Sequence, residues 1–209
     1  MPRMKIFNTL EQATFDTPPV FNSTERKQFF ALPLMLQDAM AGLRTPTNKV
    51  CFLAAVGYFK ARRKFFARNV NSADIDYIAR QLNLSIADVD ITSYTKFACI
   101  HHQRIILDYF GCRPFDATTM AFAKSEIAML APVQYQPKQI LIEIIQILSR
   151  EKIEVPSYNV LADLIITAIS QHKHTLSNII HHGLNETQRS KLDALLEKEN
   201  DNTTTEGWH

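Results

Sequence analysis

Glycine is scarce in this chain, five among 209 residues, and no alternating apolar run is bounded by Asn-Gly or Asp-Gly turns. Sheets need such turns and such alternation, so their absence argues against a β architecture. Cysteines number three, Cys51, Cys99 and Cys112; odd in number and widely spaced, they fit neither a zinc pattern nor a disulfide framework, and imply a reduced, cytoplasmic setting. No apolar run approaches membrane length, and Met1 to Lys5 lead into mixed polar sequence without the apolar core of a signal peptide, which argues against secretion and membrane spanning.

Catalytic and cofactor signatures are missing as well. There is no phosphate-cradling or dinucleotide glycine loop, no Gly-x-Ser-x-Gly and no His-Glu-x-x-His, so no catalytic residue, cofactor or small-molecule substrate is expected. His172, His174, His181 and His182 invite a metal reading, but His172 and His174 lie two apart on an expected helix and point to different sides. Asp74, Asp76, Asp88 and Asp90 resemble a two-metal cluster only loosely, and helix-capping and turn roles account for them more simply. No metal site is expected.

One absence is local. From Ala39 to Ala73 there is no Asp or Glu, yet Arg44, Lys49, Lys60, Arg62, Arg63, Lys64 and Arg68 fall in this stretch of a chain whose net charge is only +2. Positive charge is concentrated there, and a phosphate backbone responds to concentrated charge.

What the sequence does contain is helical periodicity. With 46% hydrophobic and 21% charged residues it can bury a sizeable core, and the pattern predicts an all-α, multi-helix fold. Residues 1–22, with Pro18 and Pro19, read as an irregular arm. A helix opens near Ser23 or Thr24, Pro33 starts a second piece, and a basic helix runs from about Thr47 to Ala67. Ser72 caps a short helix through Asn83, Ser85 caps another turn, and a longer helix runs from about Thr92 to Gly111. Asp116 caps the next. Further helices are expected at Pro137–Arg150, Pro156–His182 and Glu186–Glu199, the last opened by an Asn185/Gln188 capping pair. Residues 200–209, with Trp208, read as a disordered tail. The weak pattern and prolines between Ala117 and Gln136 place a join there, giving a helical, DNA-binding part over 23–116 and a second helical subdomain over 117–199.

On the basic helix, Phe52, Val56, Phe59 and Phe66 share one stripe at about 100° per residue, and Lys49, Lys60, Lys64 and Arg68 share the adjacent face. Arg62 and Arg63 flank the other side. The short helix ending at Gln81–Leu82, the turn at Asn83–Leu84 and the helical structure after it have a helix-turn-helix shape. In the following helix His101, Arg104 and Asp108 share a polar face, while His102 sits in an apolar band and reads as a buried, satisfied histidine.

Several collinear runs resemble a known family. Thr24-Glu25-Arg26-Lys27 through Pro46-Thr47-Asn48-Lys49-Val50-Cys51-Phe52-Leu53-Ala54, then Ile78-Ala79-Arg80-Gln81-Leu82-Asn83-Leu84 followed by Tyr94, are similar to the N-terminal region of the cointegrate-forming, replicative transposases of the Tn-three family. The most specific run is His102-x-x-x-Ile106-x-x-x-Phe110-Gly111-Cys112-Arg113-Pro114-Phe115, resembling that family's His-x-x-x-Ile-x-x-x-Leu-Gly-Phe-Arg-x-Phe. Gly183 through Leu196 is similar to its Leu-Thr-x-x-Gln-Arg-x-x-Leu-Asp-x-Leu-Leu. In that family the region is often described as a domain of unknown function ahead of the catalytic part. The resemblance implies an all-helical module that binds terminal inverted repeats of a transposon and does not cut DNA, because the family's acidic triad lies downstream. Family members are usually more basic just before the matched histidine, where this chain has Phe97-Ala98-Cys99-Ile100, so the main DNA contact is expected on the Lys49–Arg68 helix.

Two classes of function follow. The first is a module for double-stranded DNA, clamping phosphates with Lys49, Lys60, Arg62, Arg63, Lys64 and Arg68 and contacting bases through Lys96, His101, Arg104 and Arg113. The second is a helical interaction module whose C-terminal helices serve self-association or docking onto the remainder of a longer transposase.

Overall fold

The computed structural model describes residues 5–134, 136–183, 185–188 and Ser190. Its α-helices are α1 (Thr9–Asp16), α2 (Ser23–Phe29), α3 (Gln37–Ala41), α4 (Pro46–Arg62), α5 (Ser72–Gln81), α6 (Lys96–Phe110), α7 (Ala117–Leu130), α8 (Pro137–Arg150) and α9 (Tyr158–Gly183). Single 3-10 turns at Leu34–Leu36, Ile86–Asp88 and Ile91–Ser93 join some of them. Among the described residues no strand forms, and one isolated parallel bridge pairs Arg113 with Ile153. The fold is all-α.

Helix α4 is the axis of the N-terminal half. Thr45 caps it, accepting from the Asn48 amide at 3.1 Å, and Pro46 occupies the first turn, where its missing N–H costs nothing. From Val50 to Phe59 every residue but Ala55 is buried, so α4 is apolar nearly all round and must be enclosed. Helices α2, α5 and α6 enclose it. At Gly57 an added Cβ would stand 2.4 Å from the Phe30 ring, so glycine is what lets α2 approach so closely. This core is aromatic, with Phe21, Phe30, Phe52, Tyr58, Phe59 and Phe66 all buried.

A charged group is enclosed in it. Asp74, in the first turn of α5, is 0% exposed; it accepts from Arg26 Nε of α2 at 2.7 Å and from the Tyr58 hydroxyl of α4 at 2.7 Å. Burial, with the Asp74 charge adding to it, raises the Tyr58 hydroxyl far above its usual range and so keeps it a donor. Three helices thus meet on one carboxylate.

The C-terminal half is aliphatic: Ile127, Ile140, Leu141, Ile144, Leu148, Leu161 and Ile165 from α7, α8 and α9 form its centre, with Ile6 added from the N-terminal segment. The two halves meet at a seam of backbone bonds. Arg113 N donates to Lys152 O at 2.8 Å, Glu154 N to Arg113 O at 3.0 Å and Val155 N to Arg63 O at 2.8 Å.

Most of the expected elements are present, with differences that have local causes. Helix α1 lies where an irregular arm was expected; Asn8 and Glu11 form a capping box, and Phe7 and Phe15 pack against Tyr158. The basic helix stops at Arg62 and does not reach Ala67, because Arg63 turns left-handed (φ 54°) and Phe65 folds back to stack on Phe59 with centroids 4.6 Å apart. Asn71, not Ser72, is the N-cap position of α5, and Thr95 caps α6, the residues around Thr92 forming a 3-10 turn capped by Asp90. After α5 the turn at Asn83–Leu84 is followed by a single 3-10 turn at Ile86–Asp88, where the helix-turn-helix shape called for a second helix, and α6 begins only at Lys96. Ser85, Gly111 and Asp116 cap as expected, and α8 spans Pro137–Arg150 as expected. The Asn185/Gln188 pair forms, with bonds of 3.0 and 2.9 Å. Arg189, the remainder of the helix expected to Glu199, and the tail with Trp208 lie outside the described residues.

Candidate nucleic-acid interface

The ten residues singled out by sequence separate into two groups. Lys64 is 5% exposed, its ammonium paired with Asp16, bonded to Pro156 O at 3.2 Å and seated 3.9 Å from the Phe15 ring centroid. Burial lowers its pKa, with Asp16 pulling the other way. It cannot reach a phosphate without breaking the seam. Arg63 is half-buried, its guanidinium over the Phe59 and Phe110 rings at 5.8 and 5.3 Å and donating towards Cys112 Sγ. Lys60 is exposed, but its ammonium donates to Gln28 O at 2.8 Å, where it caps the end of α2. Arg113 gives its backbone to the seam, and its exposed side chain reaches Glu151 O at 3.5 Å.

The grouping of Lys49, Lys60, Lys64 and Arg68 on one helix face is therefore corrected, since Lys64 and Arg68 lie beyond the end of α4. Lys49 is half-buried in the first turn of α4 and Arg62 exposed at its last residue, at opposite ends of a helix whose middle is enclosed. Helix α4 cannot lie in a groove of DNA.

Helix α6 has the opposite character. Cys99, His102, Ile106 and Leu107 hold it to the core, and Lys96, Phe97, Ile100, His101, Arg104 and Asp108 are exposed. At about 100° per residue these six occupy one arc of about 140°, a single outward face. Phe97 is 87% exposed and Ile100 45%. Asp108 stands at the C-terminal end, and between Asp90 and Asp108 the chain carries no carboxylate.

The loop after α4 brings a further cation to this helix. Cys99 Sγ donates to Ala67 O at 3.7 Å, and burial raises the Cys99 thiol while the neighbouring Arg68 guanidinium acts in the opposite direction. Arg68 is exposed and approaches α6 on its Cys99 side. Below the face, His102 is 1% exposed, lies 2.8 Å from the Tyr94 hydroxyl through Nδ1 and meets the Phe52 ring edge-on. Desolvation, aided by His101, pushes its pKa down to about 4, so it is a neutral part of the α4–α6 packing, as its apolar band indicated.

Sequence reasoning found His101, Arg104 and Lys96 but passed over Phe97 and Ile100. Their signal was present in the helical period, which places them among Lys96, His101 and Arg104. What the assembled face offers chemically is two cations, Lys96 and Arg104, interleaved with the apolar Ile100 and Phe97, and no acid in its first three turns.

Among the described residues no group of three His, Cys, Asp or Glu side chains is arranged to hold a metal ion, and His172, His174, His181 and His182 are distributed along the outer part of α9. Nor is any described helix long and apolar enough to cross a membrane. All three cysteines are free and buried. No curated protein matches the chain. A family described as a domain of unknown function, DUF4158, matches residues 6–168, from the first residue of the aliphatic core to the last buried position of α9. That span takes in both helical halves and the seam between them, and the chain belongs to the DUF4158 family.

Proposed function

We propose that this chain is the N-terminal DNA-binding module of a replicative transposase of the Tn-three family, binding the terminal inverted repeats without cutting them. The observation that carries this reading is the outward face of α6, where Lys96, His101 and Arg104 lie beside the exposed Phe97 and Ile100 and no carboxylate occurs before Asp108. A helix with one open, cationic face suits a major groove about 12 Å wide. The run from His102 to Phe115 that carries the resemblance supports the same reading from beneath: His102 and Ile106 anchor α6, Gly111 ends it in the left-handed conformation (φ 60°), and Arg113 ties it to the seam.

The test is a fluorescence-anisotropy titration of duplex DNA at several salt concentrations. Changing Arg68, Lys96 and Arg104 together to Gln weakens binding by about 1 kcal/mol or somewhat more per contact and flattens the salt slope by roughly one unit per contact. A Lys60→Gln, Arg62→Gln variant serves as the comparison and changes far less. Unaltered affinity and slope in a folded triple variant reject the reading.

A second reading rests on α9. Beyond Ala168, its last buried residue, the helix continues to Gly183 with Leu176, Ile179 and Ile180 exposed. This favours a helical interaction module that docks on a second copy or on the rest of a longer polypeptide. Such an interface is nearly indifferent to salt, whereas DNA binding is not.

A further inference from the structure

We infer that Phe97 and Ile100 read thymine: their side chains meet thymine 5-methyl groups in the major groove, which gives this module a preference for A·T pairs at the centre of its site. The inference rests on the DNA-binding reading and deepens it by naming what the apolar part of the α6 face recognises.

Exposed apolar side chains in this position call for a partner. Phe97 is 87% exposed and Ile100 45%, whereas each of the chain's other phenylalanines is buried or half-buried. Phe97 lies opposite the buried face of α6, which runs through Cys99, His102 and Ile106, while Ile100 lies nearer its edge, seven residues before the buried Leu107. On the outer arc Ile100 falls between Lys96 and Arg104, and Phe97 between Arg104 and His101.

The charge around them selects the occupant. Lys96 and Arg104 lie beside the apolar pair on α6, whose one carboxylate, Asp108, stands more than two turns beyond Ile100, and such charge attracts a polyanion. In B-form DNA the apolar feature of the major groove is the thymine methyl, and contact with apolar side chains is how it is read. From Phe97 to Arg104 the helix rises about 10 Å, the length of about three base pairs, so cations flanking the apolar pair fall at the spacing of the phosphates that border those pairs. The face thus offers two surfaces for methyl groups, with Arg104 between them free to pair with a neighbouring guanine. It discriminates thymine from cytosine by hydrophobic contact.

Thymine and uracil differ only by this methyl, which makes the experiment direct. A duplex library with a randomised core is selected on the full chain, and the enriched duplex is made with thymine or with uracil at each core position in turn. The prediction is that uracil at one or two adjacent positions weakens wild-type binding about threefold to tenfold, and that Phe97→Ala or Ile100→Ala binds the two duplexes equally. Both side chains stand clear of the core, so the variants fold. Wild-type affinity unchanged by uracil at every position overturns the inference, as does a Phe97→Ala variant that remains sensitive to the methyl. Salt-sensitive duplex binding alongside either result leaves the DNA-binding reading standing. Absence of any duplex binding by the folded chain rejects that reading and this inference together. If Phe97→Ala leaves DNA binding unchanged and abolishes self-association in sedimentation, the face belongs to a second copy of the chain and the inference fails.

Discussion

Helices α4 and α6 lie against each other, and the sequence gives them opposite appearances. Helix α4 belongs to the acid-free stretch rich in Lys and Arg, whereas α6 begins with the apolar-looking Phe97-Ala98-Cys99-Ile100. In the fold their roles are exchanged. Helix α4 is enclosed from Val50 to Phe59, with Lys60 turned onto α2, while Arg63 and Lys64 beyond its end serve the seam; α6 keeps one clean face to solvent. Charge that is dense along a chain is therefore not charge that a ligand can reach. What decides accessibility is whether a helix retains a face that nothing else covers.

The comparison can be broken by variants that separate folding from binding, and the largest effect belongs to the ion pair beside α4. Asp74→Ala leaves the Arg26 guanidinium and the Tyr58 hydroxyl without their shared acceptor. A loss of about 3 to 5 kcal/mol is expected, measured as a lower denaturation midpoint in urea with unchanged slope. A loss below about 1 kcal/mol would mean that the enclosure of α4 depends little on this charge.

A smaller effect is expected at Gly57. The Phe30 ring that blocks a Cβ there is itself held by Phe21, Tyr58 and Tyr77, so it has little room to turn aside. Gly57→Ala should cost about 2 kcal/mol of stability by overpacking, despite the higher helix propensity of Ala. DNA affinity of the folded fraction should be unaltered, which a titration below the unfolding range checks.

The smallest effect sharpens the contact between the two helices. His102 is neutral in the fold down to about pH 4, whereas an unfolded histidine protonates near its ordinary 6.5. Its folded pKa is depressed, so above pH 6.5 both states are neutral, and as pH falls from 6.5 towards 4 only the unfolded chain takes up the proton. Stability should drop by about 1 to 2 kcal/mol between pH 6 and pH 4.5, with little screening by solvent because His102 is buried. In His102→Gln this contribution disappears, and the gap between wild type and variant narrows as the solution is acidified. A gap that stays constant from pH 7 to 4.5 would place the proton elsewhere.

Periodicity and caps made much of this fold legible. Pro137–Arg150, the Gly111 stop, the Asp116 cap and the Asn185/Gln188 pair follow from local rules that tertiary packing does not override. Helix α1 escaped notice because its Asn8/Glu11 box lies in a polar stretch and its apolar partners are more than a hundred residues away. Arg63 and Lys64 were misread for a related reason. Helical spacing was extended past a left-handed residue that sequence does not announce, since only a small minority of residues other than glycine adopt that conformation. His101 and Arg104 were placed on the outer face by spacing alone, but the importance of that face became visible only once α4 was seen to be covered.

The bonds that hold α1 set an order for making the protein. Phe7 N donates to the Tyr158 hydroxyl, 151 residues later, and the Asp16 carboxylate accepts from Tyr158 N, 142 residues later. At a synthesis rate of about 5 to 20 residues per second, α1 waits roughly 7 to 30 s after its own synthesis for the surface it docks on. The aromatic half has all its helices well before then, so it can close first, with α1 left for last. A segment made before its partner by more than a hundred residues is among the final ones to be fastened.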